Sequence, residues 1–116
     1  MTNYPLTNIS PKAKIGKNVT IEPFTTIYGD VEIDDNTWIG SNVVIMDGAR
    51  IGSGCKIFPG AIISAESQDL KYNGEYTQTI IGDNTTIREY VTIHKGTLDK
   101  KVTKIGSNCL LMSYVH

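Results

Sequence analysis

The stretch IEPFTTIYGDVEIDDNTWIGSNVVIMDGARIGSGCKIFPGAII, Ile21 to Ile63, places an isoleucine at every sixth position: 21, 27, 33, 39, 45, 51, 57 and 63. Worked outward, the same phase holds at Ile15 and Ile9 on one side and at Ile81, Ile87, Ile93, Ile105 and Leu111 on the other; only Asp69, Glu75 and Asp99 break it. A period of six puts successive isoleucines on different faces of a helix with about 3.6 residues per turn, which excludes an α-helix.

Two residues before each aliphatic lies a second column of small side chains: Ala13, Val19, Thr25, Val31, Thr37, Val43, Ala49, Cys55, Ala61, Thr85, Val91, Cys109 and Val115. Residues two apart on a strand share a face, so both columns point to one interior. Three residues after each aliphatic the chain must bend. There it carries Asn18, Asp30, Asn36, Asn42, Gly48, Gly54, Gly60, Asn84, Gly96 and Asn108, types that accept positive φ at low cost.

Short strands ending in a bend every six residues close into a triangular coil whose strands stack in parallel about 4.8 Å apart. The fold class is therefore all-β, a parallel β-helix. Each stacked isoleucine contributes about 1.5 to 3 kcal/mol of burial, enough in sum to hold a solenoid without a layered core.

With 116 residues the chain has the length of one domain, spanning 1–116. A net charge of −1, from 11 basic and 12 acidic residues, supplies no electrostatic footprint for a phosphate backbone, so nucleic acid is not an expected partner. Residues 1–10, MTNYPLTNIS, lack the basic start and apolar run of a secretory signal, and no apolar stretch is long enough for stable membrane insertion. A cytoplasmic location is the expectation. Cys55 and Cys109 are too few for a disulfide framework; they belong to the small inward column and read as core residues.

Two departures from the repeat are expected as extruded loops, at about 67–79 (SQDLKYNGEYTQT) and about 97–104 (TLDKKVTK). Loops leaving a regular solenoid are where specific chemistry is added. Asp69 and Glu75 occupy broken hexad positions and cannot be core, while Asp99, Lys100 and Lys101 read most simply as a solvated loop tip.

The hexads resemble the hexapeptide-repeat superfamily, whose prism is left-handed. More specifically, QDLKYNGE (Gln68 to Glu75), IGDNTTIREYVTIHKGT (Ile81 to Thr97) and KIGSNCLLMSYVH (Lys104 to His116) are similar to the acyl-carrier-protein:UDP-N-acetylglucosamine O-acyltransferases. That resemblance implies transfer of a hydroxyacyl chain from the acyl carrier protein thioester to the sugar hydroxyl of UDP-N-acetylglucosamine, the first step of lipid A biosynthesis, by a homotrimer with no cofactor. It implies substrate-binding roles for Asp69, Leu70, Lys71, His94 and His116. Lys95 stands where the family often has arginine, and a lysine lacks the fork for a bidentate contact.

In the family the strand matching MSYVH continues through a motif of the form H-I-A-H-D, whose second histidine is the general base. His116 matches the first. The resemblance thus implies an N-terminal portion of the family's length with no catalytic residue of its own, inactive alone. Outward histidines are ordinarily solvated surface residues, and the motif match is what singles out His94 and His116. No metal site is expected, since a catalytic zinc needs three protein ligands and the chain has two histidines. The alternatives are a non-catalytic solenoid that binds a partner, or another hexapeptide-repeat acyltransferase, such as one that N-acylates a later intermediate.

Overall fold

The computed structural model describes residues 4–65, 77–95 and 102–112. Within them the chain forms fifteen short strands and no helix: β1 (Asn8–Ile9), β2 (Lys14–Ile15), β3 (Thr20–Ile21), β4 (Thr26–Ile27), β5 (Glu32–Ile33), β6 (Trp38–Ile39), β7 (Val44–Ile45), β8 (Ala49–Ile51), β9 (Lys56–Ile57), β10 (Ile62–Ala65), β11 (Gln78–Ile81), β12 (Thr86–Ile87), β13 (Thr92–His94), β14 (Val102–Ile105) and β15 (Leu110–Leu111). Every strand pairs in parallel with the strand three along. This yields three five-stranded sheets: β1-β4-β7-β10-β13 (sheet A), β2-β5-β8-β11-β14 (sheet B) and β3-β6-β9-β12-β15 (sheet C). The expected all-β architecture, a left-handed parallel β-helix, is the one observed.

Isoleucine pairs with isoleucine at every rung but the last of sheet C, where Ile87 meets Leu111; Ile27 with Ile45 and Ile45 with Ile63 are examples, eighteen residues apart in each case. The isoleucine column from Ile27 to Ile87 is at most 3 % exposed wherever it falls in the described residues, and the small column from Val31 to Ala61 is as deeply buried. Its threonines keep their hydroxyls satisfied by one recurring arrangement. Thr25 donates to the Gly40 carbonyl (2.7 Å) and accepts from the Val43 N–H (3.3 Å). Thr37 does the same with Gly52 (2.8 Å) and Cys55 (3.2 Å), and Thr85 with Gly106 (2.7 Å) and Cys109 (3.3 Å). A polar side chain thus sits in the core by closing the corner of the next coil.

The bends follow the expected chemistry at Asn18, Asn36, Asn42, Asn84, Asn108, Gly48, Gly54 and Gly60, all with positive φ; Gly96 lies outside the described residues. Asp30 departs from it and does not take positive φ. Its hydrogen bonds explain why: its N–H donates to Asp47 Oδ1 (3.0 Å), its carbonyl accepts from Gly48 N (2.8 Å) and Arg50 Nη1 (3.0 Å), and its carboxylate takes Arg50 Nη2 (2.7 Å). Conversely Leu6, Phe24 and Tyr90 adopt φ of 58°, 67° and 61° at equivalent corners, a conformation costing a bulky L-residue about 1–2 kcal/mol.

Both departures from the repeat connect sheet A to sheet B, between β10 and β11 and between β13 and β14. The stretches expected as loops are shorter at their far ends, because β11 begins at Gln78 and β14 at Val102. Here the strands lengthen: Thr79 pairs with Ala49 and Gln78 with Val102, so the emerging chain joins sheet B early.

Candidate functional site

The corner shared by sheets A and B carries His94, the one expected site residue among those described. In sheet A, the residue following each inner isoleucine is the first to leave the wall: Tyr28 after β4, Met46 after β7, Ser64 within β10, His94 ending β13. Tyr28 is 40 % exposed and His94 is exposed. Ser64 is fully buried.

That exception is a β-bulge. Ile62 pairs with Thr92 and Ile63 with Ile93 in straight register, but the next pair is Ala65 with His94, one residue late on β10. The extra residue, Ser64, takes φ +65°, which turns its side chain inward. Its hydroxyl donates to the Asp47 carbonyl (2.9 Å) and accepts from Thr79 Oγ1 (3.1 Å). Beyond the bulge, the Lys95 N–H donates to the Ala65 carbonyl (2.8 Å).

A cavity of about 360 Å³ opens on this corner, walled by Tyr28, Met46, Asp47, Ala65 and Lys95. It offers one ammonium, one carboxylate and an apolar floor, a combination that suits a polar ligand carrying an aliphatic part. His94 is not one of its walls and stands beside it, next to Lys95 in the chain. Two larger and shallower hollows, about 660 and about 760 Å³, run along the outward side of sheet B over Lys14, Glu32 and Arg50. These are dominated by an ion-pair ladder, with Arg50 bridging Asp30 (2.7 Å) and Glu32 (3.3 Å).

Of the five substrate-binding residues expected from the sequence, the structure describes one: His94, on the corner just defined. Asp69, Leu70, Lys71 and His116 lie outside the described residues. The segment holding Asp69, Leu70 and Lys71 stands in the sequence between β10 and β11, and β10 ends at Ala65, the residue paired with His94. Among the described residues, no three His, Cys, Asp or Glu side chains are gathered where a metal could bind. The same residues contain no helix long and apolar enough to cross a membrane.

The sequence reading did not anticipate the bulge or the cavity's walls. Ser64 stands where Tyr28 and Met46 do in the two preceding coils, but Ser10 at the same place in the first coil makes no bulge, so the residue type alone does not signal it. Cys55, expected in the core, is buried there, and burial pushes its thiol pKa up, which makes it a poor nucleophile. Cys109 is half-buried.

Residues 30–65 match the bacterial transferase hexapeptide family (six repeats). An acyl-[acyl-carrier-protein]–UDP-N-acetylglucosamine O-acyltransferase from Chlamydia caviae is 44 % identical over 117 residues, covering 100 % of this chain and 42 % of the relative. One of the same name from Chlorobium phaeobacteroides is 63 % identical over 108 residues, covering 93 % and 41 %. Among solved structures, a UDP-N-acetylglucosamine acyltransferase from Bacteroides fragilis superposes with a TM-score of 0.93 at 52 % identity, over 96 % of this chain and 44 % of that one. The Francisella novicida enzyme gives 0.94 at 41 % identity, over 97 % and 42 %. The chain thus spans about two fifths of the length of the relatives it matches.

Proposed function

We propose that this chain, similar along its whole length in sequence and fold to the acyl-[acyl-carrier-protein]–UDP-N-acetylglucosamine O-acyltransferases, is part of such an enzyme and carries part of its substrate cleft. The reaction is transfer of a hydroxyacyl chain from the acyl carrier protein thioester to the sugar hydroxyl of UDP-N-acetylglucosamine, at the start of lipid A biosynthesis. The observation that carries this reading is that the match to the Chlamydia caviae relative runs over the whole chain, so the two departures from the repeat lie inside it.

In this reading Asp69 accepts hydrogen bonds from the sugar hydroxyls, and Lys71 supplies charge to the anionic end of the nucleotide. Leu70, His94 and His116 complete the set of substrate-binding residues, His94 from its place at the corner of sheets A and B. The hydroxyl becomes a competent nucleophile when a base takes its proton, and the tetrahedral oxyanion needs aligned donors. No residue of this chain is assigned either role. The base in this reading is the second histidine of the family's H-I-A-H-D motif. A homotrimer in the cytoplasm, with clefts between neighbouring prisms, is the assembly proposed.

Acyl transfer from hydroxyacyl carrier protein to UDP-N-acetylglucosamine, assayed in the chain joined to the remaining three fifths of a relative such as that of Chlorobium phaeobacteroides, tests it. Asp69→Ala and His94→Ala are expected to depress kcat/KM by at least about tenfold each, the loss of one charge-assisted or neutral contact to substrate. Unchanged rates in both would remove the site assignment, and no transfer by the parent would remove the function.

A further inference from the structure

We propose that Ser64 is a positioning residue: its buried hydroxyl locks the β10 bulge that sets where His94 and Lys95 leave the wall. The inference deepens the reading of the sheet A and B corner as the substrate side and rests on it.

Three observations converge. Sheet A is in straight register up to β10, with Met46 N–H donating to the Ile63 carbonyl (2.9 Å) as Tyr28 N–H does to Ile45 (2.9 Å). The shift falls at Ser64, so that Ala65 comes to face His94 and its carbonyl receives the Lys95 N–H. A bulge bends the strand and increases its local twist, which re-aims the side chains beyond it.

Next, Ser64 sits in the left-handed region, where glycine would be unstrained, and its hydroxyl uses both hydrogen-bonding capacities. Thr79 of β11 donates to it and it donates to the Asp47 carbonyl, so one oxygen ties the strand after the first departure to the coil before it. Asp47 is fixed in turn by its carboxylate, which accepts the Asp30 N–H (3.0 Å), and it also walls the cavity. Finally, turning Ser64 inward leaves the smaller Ala65 as the cavity wall beside Lys95. The chain of contacts from Thr79 through Ser64 to Asp47, Ala65 and His94 is continuous, and its effect is on the geometry of His94 and Lys95, with no contact to substrate required of Ser64.

The test reads the His94 ring directly, by the Cε1–Hε1 cross-peak in the full 116-residue chain. His116→Gln assigns which of the two histidine signals is which. Ser64→Ala and Thr79→Val are expected to shift the His94 signal, whereas Thr79→Ser, which keeps the donor, restores it. Thr37→Val is the control: it removes an equally buried hydroxyl from the same inward column, bonded to Gly52 and Cys55 away from this corner, and is expected to leave His94 unmoved. If Ser64→Ala does not fold, Ser64→Gly relieves the backbone strain while deleting the hydroxyl and carries the same expectation. A His94 signal that Ser64→Ala (or Ser64→Gly) and Thr79→Val leave as unmoved as Thr37→Val does overturns the proposal. Calorimetric titration of His94→Ala with UDP-N-acetylglucosamine is read separately: undiminished binding would defeat the substrate assignment of His94 while the coupling to Ser64 stood on its own signal.

Discussion

The ring of Tyr90 lies on Gly60 of the coil before it: a Cβ added at Gly60 would overlap Tyr90 Cδ1 and Cε1. Both residues hold positive φ, 82° and 61°, so the two corners stack in the same left-handed conformation. Gly60→Ala therefore meets two obstacles, the intrinsic cost of the conformation, about 1–2 kcal/mol, and displacement of a ring. The expected outcome is a loss of at least that much in denaturant unfolding. Tyr90→Ala, which empties the space, should recover the steric part and leave the backbone part, so a double-mutant cycle should show a non-additive pair.

Thr37 and Thr77 are both buried threonines, 1 % and 2 % exposed, with opposite expectations. Thr37→Val leaves the Cys55 N–H and the Gly52 carbonyl without a partner and should cost about 1–3 kcal/mol. Thr77 Oγ1 is, among the described residues, the buried side-chain oxygen that has no hydrogen-bond partner. Thr77→Val removes an unsatisfied polar atom and should be neutral or stabilising. Urea midpoints of the two variants decide it, and a shared sign would count against the hydrogen-bond account.

Arg88 pairs with Glu89 at 2.9 Å and places its guanidinium 4.5 Å over the ring of Phe58, which in turn meets Trp38 edge-on at 5.4 Å. The hydrogen bond from Arg88 holds the Glu89 carboxyl below the ordinary carboxylate range. A carboxyl more acidic when folded binds fewer protons in the native state, so its contribution is complete above the unfolded value, about 4.3, and disappears as pH falls through the lower folded one. The pair is exposed to solvent, so the effect is small and screened by salt. Thermal unfolding should show Glu89→Gln melting slightly below the parent near neutral pH, with the gap closing in acid and at high salt.

Thiol labelling separates the two cysteines. Cys55 is fully buried with its thiol pKa raised, and Cys109 is half-buried at an outer coil. Native protein treated with an aromatic disulfide reagent should react first at Cys109 and reach Cys55 only on unfolding, as read by mass spectrometry of the labelled peptides. Equal rates would mean that the small inward column is open to reagent.

The hexad made the wall legible because burial at one spacing repeats down the chain, and Ile27, Ile45 and Ile63 are stacked as that spacing requires. Phase survived the departures for a countable reason. The pairing offset rises from eighteen to thirty between Ile63 and Ile93 and to twenty-four between Ile81 and Ile105, each a multiple of six. What escaped the sequence was set by contacts between coils. Asp30 looks like a left-handed corner until Arg50, Gly48 and Asp47 are placed around it. Tyr90 and Phe24 look unsuited to such a corner, yet the stacking of neighbouring corners holds them there, with Phe24 N–H on the Leu6 carbonyl at 2.8 Å. His94 was visible as part of a motif; Ser64, which sets its register, carries no periodic signature at all.

Stacked coils also make the corner of sheets A and B a graduated scale. Tyr28, Met46, Ala65 and His94 sit on successive rungs, each about 4.8 Å from the last, so the edge measures roughly 14 Å in four side chains. A molecule lying along that edge is read at fixed intervals, one residue per interval, and exchanging one residue rewrites a single mark without moving its neighbours. Reach along the groove can therefore be retuned rung by rung, in steps no smaller than one coil.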